Sequence, residues 1–390
     1  MSDWKEYNLR DLVICNNESV DKNYPYSKII YLDTGSITEN KIDGLQEFDL
    51  NDAPSRAKRL VKENDIIYST VRPNQLHYGF IENPPNNLVI STGFVTITCK
   101  VDTLYPRYLY YNLIQKQTTE YLHSIAEAST SAYPSLKPSD IKALEISLPP
   151  LPEQKAIASI LSSLDDKIEL LHRQNETLEK MTETLFRKWF VEKAEEDWEE
   201  GAISDIAFHS KESINPQNLH SKLFVHYSLP SFDSAKEPIK DLGSEIRSSK
   251  YKVPQYCILF SKLNPHKDKR IWLLLDNIDD NAICSTEFQI VKPKNKKYLY
   301  FILGWLSYND NYNEIASGVG GTSGSHQRIN PSTIFDFNCP IVPINYIDKY
   351  NCVIQPIFEK INKNRTQIIT ITRLRDSLLP RLMSGEIRVS

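Results

Sequence analysis

One hydrophobic period along this chain is sustained far longer than any other. From Leu161 onward, Leu164, Ile168, Leu171, Asn175, Leu178, Thr182, Leu185 and Trp189 alternate spacings of three and four. Such a heptad seam predicts a coiled-coil helix running from Leu151 to about Glu192. It opens at Pro149-Pro150-Leu151-Pro152, because proline fits a first helical turn but not an interior. A second seam reads Ile354, Ile357, Ile361, Asn364, Ile368, Ile371, Arg375, Leu378 and Leu382. Either seam alone is also the face of an ordinary bundle helix. Two matched seams are expected to pair with each other, antiparallel, as a rod of roughly 60 Å. Asn175, Thr182, Asn364 and Arg375 interrupt the apolar positions. Polar residues there fix register at some cost in stability, or mark where another chain joins the bundle.

Outside the seams the pattern shortens to runs of β-branched and aromatic residues between turn signals. Ser27–Leu32, Asp65–Val71, Leu88–Thr98 and Leu144–Leu148 predict strands, and so do Lys222–Tyr227, Tyr256–Ser261 and Ser285–Val291. Tyr105–Ile114 and Lys297–Leu306 read as matching buried helices. The matches extend through the chain. Pro138-Ser139 recurs as Pro331-Ser332, 193 residues on, and the register then runs without a gap through both seams. Trp4 to Leu12 is answered by Trp198 to Ile206. A unit this long is a domain plus a helix, not a solenoid repeat. The expected fold is α+β: two tandem mixed α/β domains, at 1–148 and 194–340, separated by a long antiparallel two-helix coiled coil from 149–193 and 341–390. The whole forms a pseudo-two-fold internal repeat. A fragment ending near Glu192 is expected to pair with itself through its lone seam.

Composition changes this picture little. At 390 residues, 40% apolar and 25% charged, the chain is an ordinary soluble one. No stretch approaches the roughly 18 apolar residues of a membrane span, and Met1-Ser-Asp-Trp-Lys-Glu has no apolar signal core, so a cytoplasmic protein with no membrane partner is expected. Six scattered cysteines form no metal-binding or disulfide pattern. The net charge of -4 hides a contrast. Residues 151–200 carry seven basic and thirteen acidic residues; residues 247–300 carry eleven basic and five acidic. The second segment is expected to present a basic surface.

Motifs for catalysis are missing. Asn83-Pro84-Pro85-Asn86 lacks the fourth-place aromatic that an amino-methyltransferase needs to stack a flipped base. Gly318 to His326 is glycine-rich but lacks the ending of a phosphate-binding loop. Candidate reading surfaces recur instead at equivalent places. Arg72-Pro73-Asn74-Gln75 and His77 follow one strand; Lys262, Asn264-Pro265-His266-Lys267, Lys269 and Arg270 follow its counterpart. Arginine can pair with guanine, asparagine or glutamine with adenine, and lysine with phosphate. A second pair of loops supplies Thr130, Tyr133 and Lys137 in one copy and Ser323, His326 and Arg328 in the other. Small hydroxyl residues let backbone approach phosphate, with a cation following. Lys58 and Lys250 complete the candidate DNA contacts. Solvated turns and helix-start support are the plainer alternatives for all of these.

The segment Ser129-Thr130 to Pro138, then Ile146-Ser-Leu-Pro149-Pro150-Leu-Pro152-Glu153-Gln154 leading into a heptad helix, resembles the specificity subunit of type I restriction–modification systems. Asp65 to Arg72 and Ser91-Thr-Gly-Phe-Val-Thr-Ile are similar to that family's target-recognition domains. The resemblance implies a non-catalytic subunit that reads a bipartite, asymmetric double-stranded DNA target. It also implies partnership with two methyltransferase subunits that use S-adenosylmethionine, and with restriction–translocase subunits that use ATP and Mg, leaving no cofactor in this chain. In the second copy Pro343-Ile-Asn-Tyr-Ile-Asp departs from the Pro-Leu-Pro-Glu-Gln pattern, which weakens any role for Glu153 and Gln154 beyond helix initiation. The rival reading is a dumbbell scaffold whose two modules bind protein partners and never touch DNA.

Overall fold

The computed structural model describes residues 4–100, 102–128, 135–193, 198–276, 278–320 and 327–389. The chain divides into two compact units, one of residues 1–170 with 367–390, the other of residues 171–366.

Both units are built on the same plan, because the strand-forming runs recur in the same order. In the first, Val13–Cys15, Phe94–Cys99, Ile66–Ser69 and Tyr78–Phe80 form an antiparallel sheet in that order. In the second, Ala207–His209, Phe288–Pro293, Cys257–Ser261 and Ile271–Leu274 do the same. The inner strands Ile66–Ser69 and Cys257–Ser261 are buried at every residue, as their unbroken apolar runs require. A further sheet in each unit contains one parallel pair, Lys28–Leu32 with Leu88–Ser91 in the first and Leu223–Tyr227 with Ala282–Cys284 in the second. The run predicted as one strand from Leu88 to Thr98 is therefore two strands in two sheets. The break falls at Thr92-Gly93, where Gly93 O accepts from the Thr70 backbone and hydroxyl, both at 2.8 Å.

The two long helices span Leu151–Phe190 and Ile344–Met383. Every residue predicted for the seams is buried or half-buried. Within each unit the helix segments run antiparallel. Arg375 Nη1 lies 2.9 Å from Asp165 and Arg388 pairs with Glu153 in the first unit. Arg365 meets Glu179 at 2.9 Å in the second. The helix starts differ as their sequences do. Gln154, 1% exposed, accepts from Tyr105 N and donates to Thr103 O and Pro149 O, each at 2.9 Å. Its role thus exceeds helix initiation: it ties the helix to the loop before Pro106–Leu113. In the second unit Tyr346 stands beside Trp198, ring centroids 5.1 Å apart, and its hydroxyl donates to Trp189 O.

Each core joins sheet, buried helix and long helices. Tyr108, Leu109 and Tyr111 pack with Ile157, Leu161 and Leu382 in the first. Phe301, Ile302 and Leu306 pack with Phe186, Phe190, Tyr350 and Ile354 in the second. There Gly304 lets its helix approach the long one closely, since a Cβ would stand 2.1 Å from the Phe186 ring. All six cysteines are free thiols. Among the described residues no helix is long and apolar enough to cross a membrane.

Candidate nucleic-acid interface

The turn after Ile66–Ser69 is held in an uncommon backbone conformation. Arg72 has φ of 47° and Leu76 of 59°, both left-handed, a region that costs side-chain-bearing residues energy. Pro73, buried, anchors the turn, and Gln75 N donates to Arg72 O at 2.9 Å. This arrangement turns Arg72, Asn74 and Gln75 out to solvent. His77 is half-buried, its Nδ1 against Ile37 O and 3.4 Å from Thr38 Oγ1, so it supports the turn from beneath.

The counterpart after Cys257–Ser261 uses the same device. Asn264 also has φ of 47°, and the proline that follows it, Pro265, is also buried. Lys267 N and Asp268 N donate to Asn264 O, leaving His266 and Lys267 exposed. Strained non-glycine backbone repeated at equivalent places marks these turns as candidate sites.

The second pair of loops meets the first in each unit. Val71 bridges Ser135, and Leu136 N donates to Thr70 O at 2.7 Å. Correspondingly, Leu263 bridges Arg328, Asn264 N donates to Gln327 O at 2.8 Å, and Ile329 N to Lys262 O at 2.9 Å. Residues far apart in the chain therefore share one edge in each unit. Thr130, Tyr133, Ser323 and His326 lie outside the described residues. Lys137 is exposed beside that edge and begins the helix Pro138–Lys142, its backbone N–H donating to Asp140.

The predicted cations divide into two groups. Arg72, Lys58, Lys137 and Lys267 are exposed, and Lys262 is half-buried. The others are engaged by groups of the protein, Lys269 and Arg328 while remaining exposed. Arg270, its side chain only 11% exposed, pairs with both oxygens of Asp233 and with Asp268 at 2.7 Å. Lys269 turns its ammonium to Ser307 O and over the Tyr312 ring, and burial lowers its pKa. Arg328 holds Glu287 bidentately, with both bonds at 3.0 Å. Lys250 is buried against Ser248, with its pKa lowered chiefly by desolvation. The positive segment 247–300 thus presents less free charge than its composition suggests, because Lys252, Lys292 and Lys297 are also hydrogen-bonded internally. Asp233 and Glu287, the acids that neutralise these arginines, carry no sequence signal of that role. Among the described residues no cluster of His, Cys, Asp and Glu is placed to hold a metal ion.

Two like units, each carrying a left-handed turn backed by a second loop, define a duplicated α/β protein. The family described as "Type I restriction modification DNA specificity domain" matches residues 1–180. The chain is 30% identical over 360 residues to the type I restriction enzyme MjaIX specificity subunit of Methanocaldococcus jannaschii, covering 85% of this chain and 79% of that protein. It is 36% identical over 192 residues to the HindI specificity subunit of Haemophilus influenzae, covering 49% of this chain and 42% of that one. The fold is similar to that of the S subunit from M. genitalium, at 16% identity and a TM-score of 0.59, over 98% of this chain and 96% of that one. The chain belongs to the family of type I restriction–modification specificity subunits.

Proposed function

We propose that this chain is the DNA-reading, non-catalytic subunit of a type I restriction–modification complex and that residues 1–148 and 194–340 are two target-recognition domains for a bipartite, asymmetric site. The carrying observation is the pair of equivalent turns. Arg72-Pro73 and Asn264-Pro265 share a φ of 47° and a buried proline, while the side chains they present differ. One backbone frame displaying two unlike sets of donors suits two unlike half-sites. Arg72 has the donors for guanine O6 and N7, and Asn74 and Gln75 those for adenine, while in the second unit Lys262 and Lys267 can supply phosphate contacts beside that unit's own turn.

On this reading the helices at 149–193 and 341–390 act as a coiled-coil spacer and as part of the docking site for two methyltransferase subunits. Those subunits supply S-adenosylmethionine chemistry, and restriction–translocase subunits bring ATP and Mg, all in the cytoplasm. Methylation-sensitive sequencing of DNA from cells carrying the system tests the reading. Two different half-sites, with one changed when residues 1–148 are exchanged for those of a relative, are expected. Methylation that ignores the exchange would rule it out in favour of a protein-binding scaffold.

A further inference from the structure

Asn175 and Asn364 are two of the four polar members of the long-helix seams, and both are buried, at 7% and 0% exposure. Asn364 Nδ2 donates to Asn175 Oδ1 at 2.9 Å and to Gln174 Oε1 at 3.4 Å. Their seam neighbours Leu171 and Ile361 are each 1% exposed and lie outside the two main domain cores. An apolar seam of leucine and isoleucine packs almost equally well when displaced by a heptad. A buried amide pair does not, because displacement leaves two amides facing hydrocarbon.

The internal repeat adds a second constraint. The residue 193 positions after Asn175 is Ile368, and the one 193 before Asn364 is Leu171. If the first long helix paired with another copy of itself in the same alignment, Asn175 would face leucine. The ion pair in the other unit obeys the same rule. Asp165 accepts from Tyr111 at 2.6 Å and from Arg375 at 2.9 Å, while their repeat equivalents are Phe358 and Thr182. Both polar pairs form only when the first long helix meets the second, with Asn364 Oδ1 still lacking a hydrogen-bond partner among the described residues.

We propose that Asn175–Asn364, reinforced by Asp165–Arg375, selects the partner and the alignment of the long helices: first with second, in one register, and against like with like. The inference concerns assembly of the chain and stands whether or not the recognition domains read DNA.

The test uses the full-length chain with Cys352→Ser, which removes the one exposed thiol. Glu179→Cys/Arg365→Cys reports the observed alignment through a short bis-maleimide, and Glu179→Cys/Thr372→Cys reports a one-heptad displacement. The parent is expected to crosslink only through the first pair. Asn364→Leu alone should lower the thermal midpoint. Asn175→Leu/Asn364→Leu should restore it, move part of the crosslinking to the displaced pair, and raise the dimer fraction in sedimentation. A double variant that crosslinks only at 179/365 and sediments as the parent does overturns the proposal. So does a single variant as stable as the parent.

Discussion

Arg388 donates two hydrogen bonds to Glu153, 235 positions earlier, from Nε at 2.6 Å and from Nη2 at 2.9 Å. The same guanidinium lies 5.8 Å from the centre of the Trp4 ring, and Gly385, at φ of +75°, lets the chain turn against that indole. One cation thus ties the tail of the second long helix to the start of the first and to the N-terminal strand.

Removing Arg388 leaves a carboxylate that is only 8% exposed without its partner. Arg388→Ala is expected to cost ~1–2 kcal/mol, discounted because the arginine itself is half-exposed. Thermal denaturation should register a fall of roughly 2–6 °C, and an unchanged midpoint would show that the clasp contributes nothing.

Trp4 and Arg388 lie close, the guanidinium 5.8 Å from the ring centre, which favours a link between the two ends of the sequence. A circular permutant opened within residues 194–197, with Ser390 linked to Met1 by a short flexible peptide, should fold and, on the proposed function, direct its methyltransferase partners to the parental sites. Loss of folding on permutation is the outcome that counts against this closure.

Charge reversal separates the free cations from the engaged ones. In the assembled methyltransferase, Arg72→Glu and Lys267→Glu should weaken DNA binding. Each lost phosphate contact should also reduce the slope of log K against log salt by ~0.9. Arg270→Glu should instead lower thermal stability, since it places a third acid beside Asp233 and Asp268. Salt slopes unchanged by the first two variants would remove these turns from the interface.

A fragment of residues 1–192 is expected to pair with itself less readily than its apolar seam alone suggests, since Asn175 would meet Leu171 of the second copy. Asn175→Leu in that fragment should raise its dimer fraction in sedimentation. Equal dimerisation of the two fragments would sink the idea that Asn175 discriminates.

The His209 ring stacks on Phe335 at 5.5 Å, and neither ring nitrogen has a hydrogen-bond partner among the described residues. Burial, with Lys211 and Lys262 nearby, lowers its pKa to about 4. The unfolded chain binds this proton near pH 6.5 and the folded chain resists it. The contribution to stability is therefore complete above about pH 6.5 and is lost as pH falls toward about 4. His209→Phe, which keeps the stack, should show a smaller fall in thermal midpoint between pH 7 and pH 4.5. Parallel profiles for the two proteins would refute the assignment.

The two long helices, the repeated order of strands and the matched turns were legible in the sequence, because periodicity and turn chemistry act between neighbours a few residues apart. Leu161 to Trp189 could be read as a seam without knowing what it faced. Arg72 and Asn264 could be matched as turn residues by the prolines that follow them. Only the tertiary structure decided which charges remain free. Arg270 read as a surface cation until Asp233, about 40 positions away, was brought against it, and the exposed Arg328 read as free until Glu287 engaged it. Glu153 and Gln154 likewise read as helix openers, and folding set them against Arg388 and Thr103. A side chain's charge is a property of its residue. Whether it faces water or a partner is set by chain segments that sequence distance does not connect.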